Sequence, residues 1–241
     1  MRQSLLLLLL FLLLQFPVQA QYEPYKITGP IDGSIFGGIA LTFGTSILLD
    51  SKVIPFEPEE LDGISAPPLL RVDLWSTKQY SNKSRKLSDF LLRTSAIAPL
   101  SLMIDRNSKN DLGTIGLLTI ESFLINAGIT NLTKVTVKRT RPFIYNPDVP
   151  IEAKLKKDSR YSFFSGHTST TAAMYFLGAQ MFSDFYPDSN LKPVVWSVAG
   201  IVPAITAYAR MRAGKHFFTD VLLGYLVGAA IGIVLPVLHR K

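Results

Sequence analysis

Three short stretches carry residue types that suit the chemistry of an oxyanion. They are "KVTVKRTRP" (Lys134 to Pro142), "FFSGHTSTTAA" (Phe163 to Ala173) and "ARMRAGKHFFTD" (Ala209 to Asp220). In the first, Lys134 and Arg141 are seven residues apart, so on a continuous helix they share a face two turns from each other. Two cations aimed the same way suit a cluster of anionic oxygens, although a basic flank anchored among lipid headgroups has the same composition. Lys138 and Arg139 point elsewhere, as solvated charges. In the second stretch, Ser165 and Gly166 enter an apolar segment, where a hydroxyl and unpaired backbone N–H groups at a helix start make an anion site. His167 on the first turn is placed to pass a proton to a bound anion. The plainer reading is a capping serine with an incidental histidine. In the third, His216 and Asp220 are four apart at the start of the last apolar segment, so the carboxylate is expected to reach a ring nitrogen and leave the other nitrogen as a nucleophile. Arg210 offers a planar fork to an anion. The competing reading is a short loop and a helix-capping carboxylate. His239, in the tail, has no partner in sight.

The elements that position these groups are apolar. They are Ile35–Leu49, Leu87–Ile104, Leu112–Ile129, Thr168–Phe182, Val194–Tyr208 and Phe217–Leu238. None alternates apolar and polar residues as a half-buried strand would, so the expected fold is all-α: a six-helix membrane-embedded bundle. Phe217–Leu238 is long enough to span a bilayer, and Gly224 and Gly228 would let a neighbour approach closely. Arg93 and Glu121 fall inside apolar segments, where a charge is expected to face the bundle interior. In an up-down bundle the end of the third helix, the start of the fourth and the loop between fifth and sixth share one side, which brings the three stretches together.

The leading residues read as a secretory signal peptide over 1–20. Arg2 precedes a leucine-rich core too short for a span, and Val18 and Ala20 have the spacing of a cleavage site. Residues 21–86 then supply a first helix and a polar loop, and 87–241 the helical core. The chain of 241 residues is 48% hydrophobic and 18% charged, with a net charge of +7 and no cysteine. Disulfide and zinc-thiolate chemistry are thereby excluded. The basic residues are scattered between apolar segments, which argues against nucleic acid as a partner and for phosphate groups or acidic headgroups.

Taken in order, Lys134-x6-Arg141-Pro142, Ser165-Gly166-His167 and Arg210-x5-His216-x3-Asp220 resemble the type 2 phosphatidic acid phosphatase superfamily, over roughly residues 87–238. That group embraces lipid phosphatases, soluble class A acid phosphatases and vanadium haloperoxidases. Phe164 stands where the pattern usually has proline, and Ala209 where it usually has serine. The resemblance implies phosphoryl transfer with no cofactor and no metal. It makes His216 the nucleophile, Asp220 its orienting partner and His167 the acid and base. Lys134, Arg141, Ser165, Gly166 and Arg210 bind the phosphate. The long apolar runs favour the membrane branch, acting on a lipid phosphate, over a soluble acid phosphatase or a vanadate-dependent haloperoxidase. A non-enzymatic membrane scaffold would leave the histidines without a role. The resemblance also implies an active site on the periplasmic or extracellular face. The positive-inside rule instead assigns the Lys/Arg-rich loops 50–86 and 130–167 to the cytoplasm. An outward site is expected, with Ile35–Leu49 as the segment that does not cross.

Overall fold

The computed structural model describes residues 24–65, 70–104, 108 and 111–241, so the expected signal peptide lies outside the described residues. Six long helices follow the six apolar segments: α1 (Gly29–Asp50), α2 (Asn82–Thr94), α3 (Leu112–Val137), α4 (Gly166–Phe185), α5 (Lys192–Arg212) and α6 (Phe218–Leu238). Among the described residues, extended pairing is limited to one isolated bridge between Tyr25 and Arg240. The second apolar segment is not one continuous helix. It breaks after Thr94 and resumes over Ile97–Leu100 and a 3-10 turn at Ser101–Ile104. Pro99 explains the break, because its ring excludes the carbonyl four residues back and it has no N–H to donate.

Helix α4 sits at the centre. Thr168 to Met174 are all buried, and α6, α5 and α3 pack around it. It is too polar along its length to rank with the five stretches long and apolar enough to cross a membrane. Those are α1, the broken segment Asn82–Ile104 that α2 begins, the stretch Leu112–Tyr145 that holds α3, α5 and α6. Large apolar side chains cover the outward faces of those five, including Leu41, Ile47, Ile120, Phe123, Ile201, Leu226 and Val234. In water such a surface would drive association; in lipid it is at rest. The protein is therefore a multi-pass membrane protein. Ile35–Leu49 belongs to a 22-residue helix long and apolar enough to cross. One expectation is corrected. Arg93 is exposed, whereas Glu121 is buried as expected.

The α4–α6 seam depends on Gly224, Gly228 and Gly232, four residues apart on one face of α6. A Cβ at Gly224 would lie 2.7 Å from the Ser165 carbonyl oxygen, and one at Gly232 2.5 Å from that of Ala173. At Gly228 it would overlap the Ser169 carbonyl outright. Small residues at this spacing let two helix backbones touch. At one end of the bundle residues 51–65 and 70–81 meet the loop 138–165. Phe56 packs with Phe143, Ile144 and Val149, and the Arg160 guanidinium stacks 3.7 Å above the Phe56 ring. Lys157 donates to Asp50 at the end of α1 (2.6 Å). Gly214 completes this end with φ +67°, tight against the Gln79 carbonyl, a place only glycine fills without strain.

Candidate active site

His216 lies in the turn between α5 and α6, almost fully buried. Its Nδ1 is 2.6 Å from the Ser162 carbonyl oxygen. A carbonyl only accepts, so Nδ1 carries the hydrogen and Nε2 keeps its lone pair, facing Arg141 Nη1 at 3.2 Å. The expected bond from Asp220 to the ring is not made: Asp220 Oδ2 stands 3.8 Å from Nδ1. The reason is local. His216 precedes the helix, which begins at Phe218, so the helical i, i+4 geometry does not apply. Asp220 turns back as the capping residue of α6, accepting from the Phe217 N–H (2.9 Å), the Ser162 hydroxyl and Arg139. Asp220 holds Ser162, and Ser162 holds the ring.

The cations converge by a different route from the one expected. Helix α3 ends at Val137, and Lys138 takes a left-handed conformation (φ 52°) that closes it. Lys134 is on the helix and Arg141 is not, so they share no helical face. Arg141 instead anchors the next loop, donating to the Asp158 carbonyl and carboxylate (2.7 Å each) and to the Lys215 carbonyl (2.8 Å). Arg139, expected in solvent, pairs with Asp220 and Asp73 and stacks 4.2 Å over the Phe217 ring. Arg210 is buried near the end of α5, 3.3 Å from Ser88 Oγ, and its Nε has no hydrogen-bond partner. An unpaired guanidinium N–H beside other cations is a costly arrangement that an incoming anion would relieve.

Ser165 caps α4. Its hydroxyl oxygen accepts from the Thr168 N–H (3.4 Å) and hydroxyl (2.9 Å), which leaves its own hydrogen to donate. A Cβ on Gly166 would come within 3.4 Å of Lys134 Nζ, so the glycine leaves the ammonium access to the helix start. His167 donates from Nε2 to Asp89 Oδ1 at 2.9 Å. Asp89 on α2 is also 3.7 Å from Arg210. All eight residues expected in the site therefore stand at one end of the bundle. Sequence reasoning missed Asp73, Asp89, Arg139, Asp158, Ser162 and Lys215. Only the crowding of Arg139 with Lys138 and Arg141 gave a local hint.

The field at this end is positive. Burial, and then Arg141, Arg210 and Lys134, hold the His216 imidazole well below its usual pKa, so the ring is neutral. Burial and the same two arginines bring Lys215 down to about 8, against the opposing pull of Asp158. Asp158 itself, though burial works against its charge, is drawn down to about 2 by Arg141 and Lys215. A neutral nucleophilic nitrogen among cations is the electrostatic complement of a phosphate dianion.

A cavity of about 410 Å³ runs from this end between α2, α3 and α4. Leu92, Phe123, Ala127 and Met174 line it, and Lys134 and Gly166 stand at its polar head.

The sequence pattern of the PAP2 superfamily matches residues 115–241, a span that contains every one of the eight expected residues. The chain belongs to the PAP2 superfamily. Among PAP2 and related proteins it is 31% identical over 114 residues to phosphatidylglycerophosphatase B of Bacillus subtilis, which is 47% of this chain and 52% of that one. It is 25% identical over 135 residues to lipid A 4'-phosphatase of Porphyromonas gingivalis, covering 54% and 53%. With undecaprenyl-diphosphatase of Sulfolobus acidocaldarius it shares 27% identity over 142 residues, 57% and 59%. The chain thus spans about half the length of the curated relatives it matches. The crystal structure of a transmembrane PAP2 type phosphatidylglycerolphosphate phosphatase from Bacillus subtilis aligns at 21% identity with a TM-score of 0.48. That alignment covers 85% of this chain and 93% of the other.

Proposed function

We propose that this PAP2 protein is a membrane phosphatase that hydrolyses a lipid phosphate or diphosphate monoester through a phosphohistidine on His216. The observation that carries the reading is the lone pair of His216 Nε2, presented by a ring that Ser162 fixes from behind, among Lys134, Arg141 and Arg210. Nε2 attacks phosphorus, the bond from phosphorus to the leaving oxygen breaks, and its electron pair stays on that oxygen. His167, backed by Asp89, gives that oxygen a proton. Burial and then Arg210 and Lys134 hold the free ring's pKa down to about 3 against the pull of Asp89, so the imidazolium that acts as the acid depends on the negative charge of the bound phosphate. His167 then takes a proton from water as the water attacks phosphorus, and the bond from phosphorus to Nε2 breaks to release phosphate. Lys134, Arg141, Arg210, the Ser165 hydroxyl and the Gly166 N–H meet the charge that spreads over the equatorial oxygens.

The apolar cavity with a cationic head supports a lipid substrate, since an acyl or prenyl chain fits its walls and a headgroup its mouth. The relatives are named for phosphatidylglycerophosphate, lipid A and undecaprenyl diphosphate, so purified protein should be assayed on those three and on phosphatidate. Release of phosphate by wild type and not by His216→Ala supports the reading. Equal turnover by both proteins, or halide oxidation with added vanadate in place of phosphate release, refutes it.

The active site is proposed to face outward, on the strength of the resemblance. Helix α1 starts at the far end of the bundle and finishes beside the site loops. If α1 crosses, an outward site puts residue 29 on the inner side. A reporter fused after residue 150 decides the matter: an external signal supports the proposal and a cytoplasmic one reverses it.

A further inference from the structure

A second set of chemically capable side chains meets at the opposite end of the bundle. Asp32 is in the first turn of α1, Glu121 lies within α3, and His239 follows the last residue of α6. The 21 residues of α6, at 1.5 Å each, separate this set from the phosphate site by roughly 30 Å. His239 is not a loose tail residue: it is buried, as are Asp32 and Glu121. Backbone bonds from Lys26 N to the His239 carbonyl (2.8 Å) and from Lys241 N to the Pro24 carbonyl (3.0 Å) pin the tail and turn the ring inward.

The hydrogen bonding leaves three ligand atoms close together. His239 Nδ1 lies 3.0 Å from the Leu235 carbonyl, so Nδ1 bears the hydrogen and Nε2 is an acceptor. Nε2 faces Asp32 Oδ1 at 3.3 Å and Glu121 Oε2 at 3.6 Å. One ligand atom from each residue falls within 4.8 Å of the others. Both oxygens of the fully buried Glu121 carboxylate have no hydrogen-bond partner. Asp32 spends its other oxygen on the Thr28 N–H at 2.6 Å, and the adjacent cation, Arg240, is committed to Asp184 at 2.8 Å. One proton on Nε2 leaves one net negative charge buried, and only a second proton shared between the Asp32 and Glu121 carboxylates would remove it without an ion. A divalent ion would neutralise both carboxylates.

We propose that Asp32, Glu121 and His239 bind one divalent first-row metal ion, zinc foremost, which ties the start of α1 and the end of α6 to the middle of α3. Two ligands of a tetrahedral zinc at about 2.1 Å lie roughly 3.4 Å apart, close to the spacings around Nε2. An imidazole whose other nitrogen donates to a backbone carbonyl is the arrangement that metal-bound histidines adopt. A nitrogen with two carboxylate oxygens suits zinc, manganese or cobalt better than magnesium or calcium. The ion stabilises the fold and takes no part in the phosphoryl chemistry.

The test uses the full chain in detergent, stripped with EDTA and then given zinc alone. The expected result is about one equivalent of zinc per chain by elemental analysis and a rise in Tm of about 5 °C or more. Both effects should be lost in Glu121→Gln and in Asp32→Asn. Cobalt(II) in place of zinc gives a second readout that needs no stability comparison, a visible absorption band that His239→Gln removes. Stripped wild type that takes up neither metal, with an unmoved Tm, overturns the proposal and leaves the three groups sharing a proton. Undiminished binding in all the folded variants overturns it as well, by placing the ion elsewhere.

Discussion

His216 Nδ1 lies 2.6 Å from the Ser162 carbonyl and 3.8 Å from the Asp220 carboxylate, so the backbone, with Asp220 behind it, orients the ring. Substitutions should grade accordingly. His216→Ala is expected to lose at least about 10³-fold in kcat, because the bond-forming atom is gone. Asp220→Asn keeps the shape but removes the charge that steadies Ser162 and Arg139, and is expected to cost roughly 10- to 100-fold. Ser162→Ala retains the carbonyl and loses only the hydroxyl, so about a tenfold loss is expected. Steady-state kinetics on one lipid substrate would rank the three, and a Ser162→Ala defect as deep as that of His216→Ala would contradict the order.

Asp89 should act through His167. Asp89→Asn removes the carboxylate 2.9 Å from the ring and with it the support for the imidazolium. A fall of about 10²-fold in kcat is expected on a lipid substrate whose alkoxide needs a proton, with KM little changed. On p-nitrophenyl phosphate, whose leaving group needs no acid, the defect in forming the phosphoenzyme should largely vanish. Burst kinetics on the two substrates would separate this role from a purely structural one, which would impair both alike.

Lys215 predicts the alkaline limb. Held down to about 8, its ammonium is charged below that pH and lost above it, so attraction for phosphate weakens as pH rises through 8. The free-enzyme profile of kcat/KM should fall near pH 8. A bound dianion favours the charged amine, so the limb in kcat should lie higher. Lys215→Arg is expected to move the kcat/KM limb upward by keeping the charge.

His216 bears on stability with the opposite slope. Its folded pKa lies below the unfolded value of about 6.5, so the unfolded chain binds a proton that the folded one refuses. The stability contributed by the neutral ring is present above that value and declines as pH falls below it. Thermal unfolding between pH 7 and 5 should show a smaller drop in Tm for His216→Gln than for wild type.

The α4–α6 seam predicts a mutation far from the chemistry with a large effect. Gly228→Ala places a methyl on the Ser169 carbonyl, and the helices must part. A loss of about 1–3 kcal/mol is expected, read as a lower Tm in detergent. Gly200→Ala, whose Cβ would sit 3.6 Å from the Tyr225 hydroxyl, should be tolerated and serves as the control.

The sequence alone determined the all-helical class and pointed to the eight residues that the fold gathers at one end. Apolar runs, the Ser-Gly entry to α4 and the glycines of α6 are local signals, legible because each element's burial pattern is set by its own neighbours in the chain. The tertiary structure decided the partners. Nothing near Asp89 points to His167, 78 residues away, and nothing near His239 points to Asp32, 207 residues away. The ring of His216 is held by a backbone carbonyl, a group every residue possesses, so no residue type could announce it. Lys134 and Arg141 reach the same end of the bundle by a route other than the shared helical face: the left-handed turn at Lys138 ends the helix, and the fold of the following loop returns the guanidinium. Long-range pairing depends on where helices end and loops double back, and those are properties of the packed chain.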